Sequence, residues 1–170
     1  MNLLLLTLRL VHIVTASLWV GFGVFSALML GPALGDIGPD AGKVMGALQR
    51  RGLSTILPVI ALGTIISGFW LYWVISGGLL TAFVASPPGI TFGAGGVIAL
   101  AAYLLGLLVT RPTTIRVITL MQSVSAATPD ERSRVQSEAA RLKARADLAA
   151  KTGAALLLLA AASMAVARYL

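Results

Sequence analysis

The chain has 170 residues, of which 58% are hydrophobic and 11% are charged, and its mean hydropathy is +0.93. Soluble domains carry about 25% charged residues, so this composition excludes a water-soluble domain and indicates an integral membrane protein. The formal net charge is +7, but no soluble module is predicted that would bind nucleic acid, and the absence of cysteine excludes disulfides and thiolate metal sites.

A membrane-spanning helix needs about 20 to 25 residues, so four spans and their connections use the whole chain. The predicted fold class is an all-α membrane protein, a single domain over 1–170 with four transmembrane helices in an antiparallel bundle. The first predicted span covers about 3–30 and ends at Gly31-Pro32, where the helix is expected to break.

The second predicted span covers about 53–75 and the third about 90–110. The uncharged connection 76–89 contains Gly77-Gly78 and Pro87-Pro88, which predict a short loop or a re-entrant turn. Arg111-Pro112 is predicted to break or bend the third helix.

Two further helices are predicted outside the spans. Asp40 is the predicted N-cap of a short helix that ends near Arg51. The segment 128–131, with a capping threonine, a proline and a glutamate, predicts the start of a helix of about forty residues that runs into the last span, at about 149–167. Its first half is expected to form a cytoplasmic helical hairpin, about 112–148, that extends spans three and four.

The charges predict the orientation. Eleven of the thirteen basic residues and all six acidic residues fall in the first and third connections, which lie on one side of a four-span protein. The positive-inside rule makes that side cytoplasmic, so both termini are expected outside. The excess positive charge is expected to contact anionic membrane lipids. Within the hairpin, Arg134–Glu138 and Asp147–Lys151 are spaced as ion pairs.

The first span contains the only histidine, His12, and an arginine one turn before it. Polar groups at this depth need partners, and the outer side offers Arg9 and Arg168 no carboxylate side chain. Haem b fits these residues, because its iron takes a neutral imidazole and its propionates pair with arginines. The predicted site is His12 as metal ligand with Arg9, Ala16, Trp19, Gly23 and Arg168 around the cofactor. The alternative is that His12 bonds a hydroxyl or a carbonyl across the bundle while Arg9 reaches lipid headgroups.

Three short motifs resemble the first helix of the HemJ-type protoporphyrinogen oxidases and the related CopD-like proteins, which are small four-helix bacterial membrane proteins. They are 10–13 (Leu-Val-His-Ile), 18–21 (Leu-Trp-Val-Gly) and Gly31-Pro32. The resemblance implies haem b at His12 and a multi-pass protein of the bacterial inner membrane. HemJ-type enzymes carry a functional lysine in the third helix, whereas 92–97 here reads Phe-Gly-Ala-Gly-Gly-Val.

The leading interpretation is therefore a haem b-binding membrane protein, non-catalytic or active in electron transfer, that forms a homo-oligomer or joins a larger membrane complex. A haem-free accessory subunit is the alternative, and a HemJ-like oxidase is the third. With one histidine per chain, the iron is expected to be five-coordinate, to take Met164 as second ligand, or to bind His12 of two neighbouring copies.

Overall fold

The computed structural model describes residues 3–123 and 129–170, and all regular structure in these two ranges is helical. Four helical stretches are long and apolar enough to cross a membrane, and they pack against one another. The predicted all-α fold with four candidate membrane spans is therefore confirmed. These four stretches are Leu3–Ile37, Leu53–Ile75, Pro87–Met121 and Glu131–Ala167.

The first and third stretches each contain a π-helical turn, so they are divided into labelled segments. In chain order the helices are α1 (Leu3–Phe25), a first π-turn (Ser26–Leu30), α2 (Gly31–Ile37), α3 (Ala41–Arg50), α4 (Leu53–Ile75), α5 (Thr81–Val84), α6 (Pro87–Leu105), a second π-turn (Gly106–Thr110), α7 (Arg111–Ser123) and α8 (Pro129–Ala167).

The packing joins two closely packed pairs, α1 with α4 and α6 with α8, into a ring of four. Gly95 of α6 lies against Met164, whereas Leu105 lies against Gly153, so α6 and α8 run in opposite directions. Small residues make this close approach possible. The buried apolar core is accordingly almost all alanine: Ala27, Ala61, Ala99, Ala102, Ala139, Ala149, Ala154, Ala160 and Ala167, with Leu71 and Leu157.

The two pairs meet where α1 runs beside α8, again in opposite directions. A Cβ built on Gly23 would lie 2.9 Å from Leu157, and one built on Gly31 would lie 4.0 Å from Asp147. We call the end of the bundle formed by α2, α3, α7 and the first half of α8 the basic end, and the end formed by 76–86 and the two termini the opposite end.

The two proline motifs do not end their helices. This corrects the predicted end of span one at Gly31-Pro32, whereas at Arg111-Pro112, where a break or a bend is predicted, no break occurs. Gly31 donates its N–H to the carbonyl of Ser26, and Arg111 donates to Gly106, each five residues back. The wider turn leaves room for the proline ring that follows, and proline itself has no N–H that needs an acceptor. Both helices therefore continue beyond these motifs, to Ile37 and Ser123.

The start of the third span also differs from the prediction. The sequence predicts Pro87-Pro88 in a loop, but α6 begins at Pro87. Ser86 caps this helix, because its Oγ accepts the N–H of Gly89 at 3.3 Å. Proline is favoured in the first turn of a helix, where its missing N–H costs nothing. The preceding connection reverses through Gly77, Gly78 and Leu79, which all have positive φ, before the short helix α5.

At the basic end, α3 forms close to its predicted bounds, but Asp40 does not cap it with its side chain. Asp40 instead pairs with Lys43 at 2.7 Å, and this hydrogen bond raises the pKa of the exposed Lys43 ammonium. The predicted cap of α8, Thr128, lies outside the described residues. From Pro129 onward α8 is one helix of 39 residues, as its pattern predicts.

The ion pairs of α8 are not the predicted ones. Glu138 accepts from Arg116 of α7 at 2.9 Å, because α7 packs along the first half of α8. Asp147 pairs with Lys143 at 2.8 Å, one turn before it, and not with Lys151. These pairs are partly exposed, so each adds little stability. Because Asp147 pairs with Lys143, Lys151 has no carboxylate partner among the described residues.

Candidate functional site at the α1–α4 seam

His12 lies in the seam between α1 and α4, half-buried. Its Nδ1 is 2.9 Å from the backbone carbonyl oxygen of Thr64 and 3.3 Å from Ser67 Oγ. A carbonyl oxygen only accepts, so Nδ1 carries the proton and donates to it. Ser67 gives its own hydroxyl proton to the carbonyl of Gly63 at 2.7 Å, which leaves its oxygen free to accept from His12. The seam therefore fixes both the tautomer and the direction of the imidazole.

This hydrogen bond has two chemical consequences. It satisfies a polar side chain inside an apolar bundle, which is the alternative interpretation of His12. It also leaves Nε2 with its lone pair, and metal-bound histidines typically donate their other ring N–H to a carbonyl or carboxylate in this way. The imidazole is thus in the form that binds a metal.

Gly68 provides the space for the imidazole. A Cβ built on Gly68 would lie 2.7 Å from His12 Cε1 and 3.1 Å from Nδ1, closer than real Cβ contacts. One turn away, Thr15 lies against Gly63, with a built Cβ at 3.9 Å. The ring therefore packs directly against the backbone of α4, and the signal for this packing in the sequence is the pair of glycines Gly63 and Gly68.

The two arginines of the predicted site are exposed at the opposite end of the bundle. Arg9 lies one turn before His12 and has no ion pair or hydrogen bond to any residue that the structure describes. Arg168 lies over the ring of Tyr169, with 5.1 Å between its guanidinium carbon and the ring centroid. Ala16 is half-buried on α1, one turn beyond His12. Arg9 is thus the arginine available to an anion near the seam.

Trp19 and Gly23 lie on the same helix but face a different space. Trp19 packs edge-to-face on Tyr103 of α6, with ring centroids 6.3 Å apart and planes at 83°. Both Trp19 and Gly23 line a cavity of about 350 Å³ between the four spans, which we call the chamber. His12 is not among the residues that line it. The structure thus separates His12, in the seam, from the two exposed arginines and from Trp19 and Gly23, which line the chamber.

Met164, the predicted second ligand, also faces elsewhere. Its Cγ would lie 3.2 Å from a Cβ on Gly95, inside the α6–α8 pair, whereas His12 faces α4. Among the described residues there is no group of three or more His, Cys, Asp or Glu side chains that would hold a metal ion. A metal at His12 therefore needs most of its ligands from a cofactor or from outside the chain.

No protein-family model matches the chain, and comparison with curated proteins and with solved structures found no match.

Proposed function

We propose that this protein binds haem b in the membrane, with Nε2 of His12 as an axial ligand, and takes part in electron transfer. The observation that supports this proposal is the Nδ1–H bond to the carbonyl of Thr64 at 2.9 Å, which leaves Nε2 unprotonated. Haem iron held by a neutral imidazole cycles between two oxidation states at a potential that the surrounding protein sets. Measuring haem in the purified protein tests the proposal.

The side chains around His12 provide one ligand for the iron, the imidazole itself, and no second one. The seam holds the imidazole through Thr64, Ser67 and Gly68, so the protein contributes a ligand of fixed direction and tautomer. Met164 packs against Gly95, so a second protein ligand to the iron would have to come from another chain. The half-exposed position of His12 suits a cofactor bound at the surface of the bundle, between copies of the chain or beside another membrane protein.

Arg9 is proposed as the partner of a haem propionate, since its guanidinium has no partner among the described residues. We predict that Arg9→Ala lowers haem retention and shifts the reduction potential, and that Arg9→Lys is intermediate because lysine keeps the charge but not the planar fork. Haem content and a redox titration measure both effects. Equal haem content and potential in all three proteins would show that Arg9 contacts only lipid.

The basic end is proposed to face the cytoplasm, with both termini outside, in a bacterial inner membrane. Single cysteines test this orientation. Ser76 is unsuitable as the outer probe because it is buried and its Oγ accepts from Leu79, whereas Ala82 and Ser133 are exposed. We predict that a membrane-impermeant maleimide labels Ala82→Cys from outside intact cells and labels Ser133→Cys only after lysis. The reverse pattern would contradict the orientation.

A haem-free accessory subunit is the second candidate, and one observation favours it. The bonds from His12 to Thr64 and Ser67 satisfy the imidazole without any cofactor, so they explain a membrane histidine as a link between two helices. In this case the protein is purified without haem even from cells with ample haem supply, and its variants at His12 change only stability.

A further inference from the structure

The chamber is long and mostly apolar. It extends along α8 from Asp147 to Leu157, about 15 Å at 1.5 Å per residue. Its volume of about 350 Å³ over that length leaves room for an extended apolar chain in contact with its walls. The inner part is walled by Trp19, Ala61 and Tyr103.

A second cavity of about 230 Å³ adjoins the chamber between α8 and the part of the first span formed by the first π-turn and the start of α2, and we call it the cleft. The two cavities share Ser26, Gly31, Asp147 and Ala150. The cleft also presents Lys143 and Lys151, whereas the charged residues that line the mostly apolar chamber are Arg111 and the shared Asp147. Together they form an amphipathic space with an apolar inner part and a polar opening.

Ser26 marks the boundary between the two cavities. Its Oγ is buried and has no hydrogen-bond partner among the described residues. A buried hydroxyl without a partner is costly, and in membrane helices such hydroxyls ordinarily bond the carbonyl one turn back. Ser26 is the first residue of the first π-turn, and its unpartnered hydroxyl is available to an acceptor atom of a ligand.

The charges of the cleft favour an anion. Asp147 is paired with Lys143 at 2.8 Å, so its charge is already compensated. Lys151 has no carboxylate within ion-pair distance among the described residues, and it lies one turn after Asp147, on the same side of α8. The cleft therefore has one uncompensated positive charge, about 6 Å along the helix from Asp147.

We propose that the chamber and the cleft bind one anionic glycerophospholipid. One acyl chain fills the chamber, an ester oxygen at the start of that chain accepts from Ser26, and the phosphate lies at Lys151 in the cleft. The groups of such a lipid follow the order of the groups in the structure that would bind them. The acyl chain meets the apolar chamber, the ester oxygen meets the Ser26 hydroxyl, and the phosphate meets the Lys151 ammonium. The proposal holds whether or not haem is bound, because His12 does not line either cavity.

Tryptophan quenching by brominated lipid tests this site. The chain has three tryptophans, so replacing Trp70 and Trp73 by phenylalanine leaves Trp19, which lines the chamber, as the sole tryptophan, and its emission is excited selectively above the absorption of tyrosine. In nanodiscs, phosphatidylglycerol with a dibrominated chain is expected to quench Trp19 at a lower mole fraction than phosphatidylcholine with the same chain. Equal quenching by both lipids would overturn the assignment of an anionic headgroup.

Paired variants test where the acyl chain and the headgroup of the lipid bind. A Cβ built on Gly106, in the chamber, meets no atom within 4 Å, and the same is true of Gly96 on the outer surface of α6. Gly106→Phe should therefore fill the chamber and abolish the quenching, whereas Gly96→Phe should leave it unchanged. Lys151→Gln should reduce the preference for phosphatidylglycerol about fivefold, whereas Lys43→Gln should not.

Ser26→Ala keeps the apolar walls, removes an unpartnered hydroxyl and is expected to fold. It should weaken the quenching by phosphatidylglycerol about fivefold, the effect of one hydrogen bond. The same quenching in Gly106→Phe and Gly96→Phe would overturn the proposal, because it would assign the contact to bulk lipid. Dibrominated stearic acid that quenches Trp19 more strongly than either phospholipid would also overturn it, in favour of a free fatty acid.

Discussion

His12→Ala is expected to lower the amount of bound haem more than about tenfold. Changes at residues that only support a metal ligand already cost about 10- to 100-fold in metal affinity, and loss of the ligand itself should cost no less. Nε2 of His12 is the proposed iron ligand, and alanine provides no donor atom. The measurement is the Soret absorbance of the purified variant relative to its protein concentration, compared with the wild type prepared in parallel.

Thr15→Val is the matched control for this variant. Thr15 lies in the same seam, but its hydroxyl bonds the carbonyl of Val11 in its own helix at 2.8 Å and makes no bond to α4. Haem content should therefore stay near that of the wild type. If Thr15→Val and His12→Ala retain the same amount of haem, His12 is not the ligand.

Gly68→Val will destabilise the bundle by about 1–3 kcal/mol, the usual cost of overfilling a packed interior. The first added carbon alone would lie 2.7 Å from His12 Cε1. The imidazole must then move away from α4 and lose its bond to Thr64, so the tautomer is no longer fixed and bound haem should fall as well. Unfolding in a denaturing detergent titration and the Soret absorbance measure the two effects.

Gly96→Val tests whether the effect belongs to the seam. It introduces the same β-branched side chain into a membrane helix at a position where a Cβ meets no atom within 4 Å. Its stability should stay within about 0.5 kcal/mol of the wild type. Equal destabilisation of Gly68→Val and Gly96→Val would mean that the contact between His12 and Gly68 does not hold the two helices.

The spans were predictable because apolar length alone identifies them, and the spacing of α8 correctly predicted one helix from Pro129 through the last span. The continuation of the first span through Pro32, and the choice between a break and a bend at Pro112, were not predictable, since a proline motif indicates only that the α-helical hydrogen bonds are interrupted. Whether the chain then turns or inserts a π-turn depends on what packs around it. Here both π-turns line the chamber, which the sequence pattern does not reveal.

The candidate site was only partly predictable for a similar reason. The helical spacing places His12, Ala16, Trp19 and Gly23 on one face of a single helix, but a face of seven or more residues meets several neighbours along its length. In the structure His12 meets α4, while Trp19 and Gly23 line the chamber. The ion pairs of Asp147 and Glu138 depended in the same way on rotamers and on the position of α7, which spacing alone does not determine.

The most direct test of haem binding at His12 is the haem-to-protein ratio of the detergent-purified wild type, expressed with ample haem supply, together with its spectrum before and after dithionite. The account predicts a Soret band that shifts on reduction. A ratio of one haem per chain with high-spin iron indicates a five-coordinate site, and one haem per two chains with bis-histidine signals indicates a site shared by two copies. A protein without haem under these conditions would contradict the account and leave the accessory-subunit interpretation.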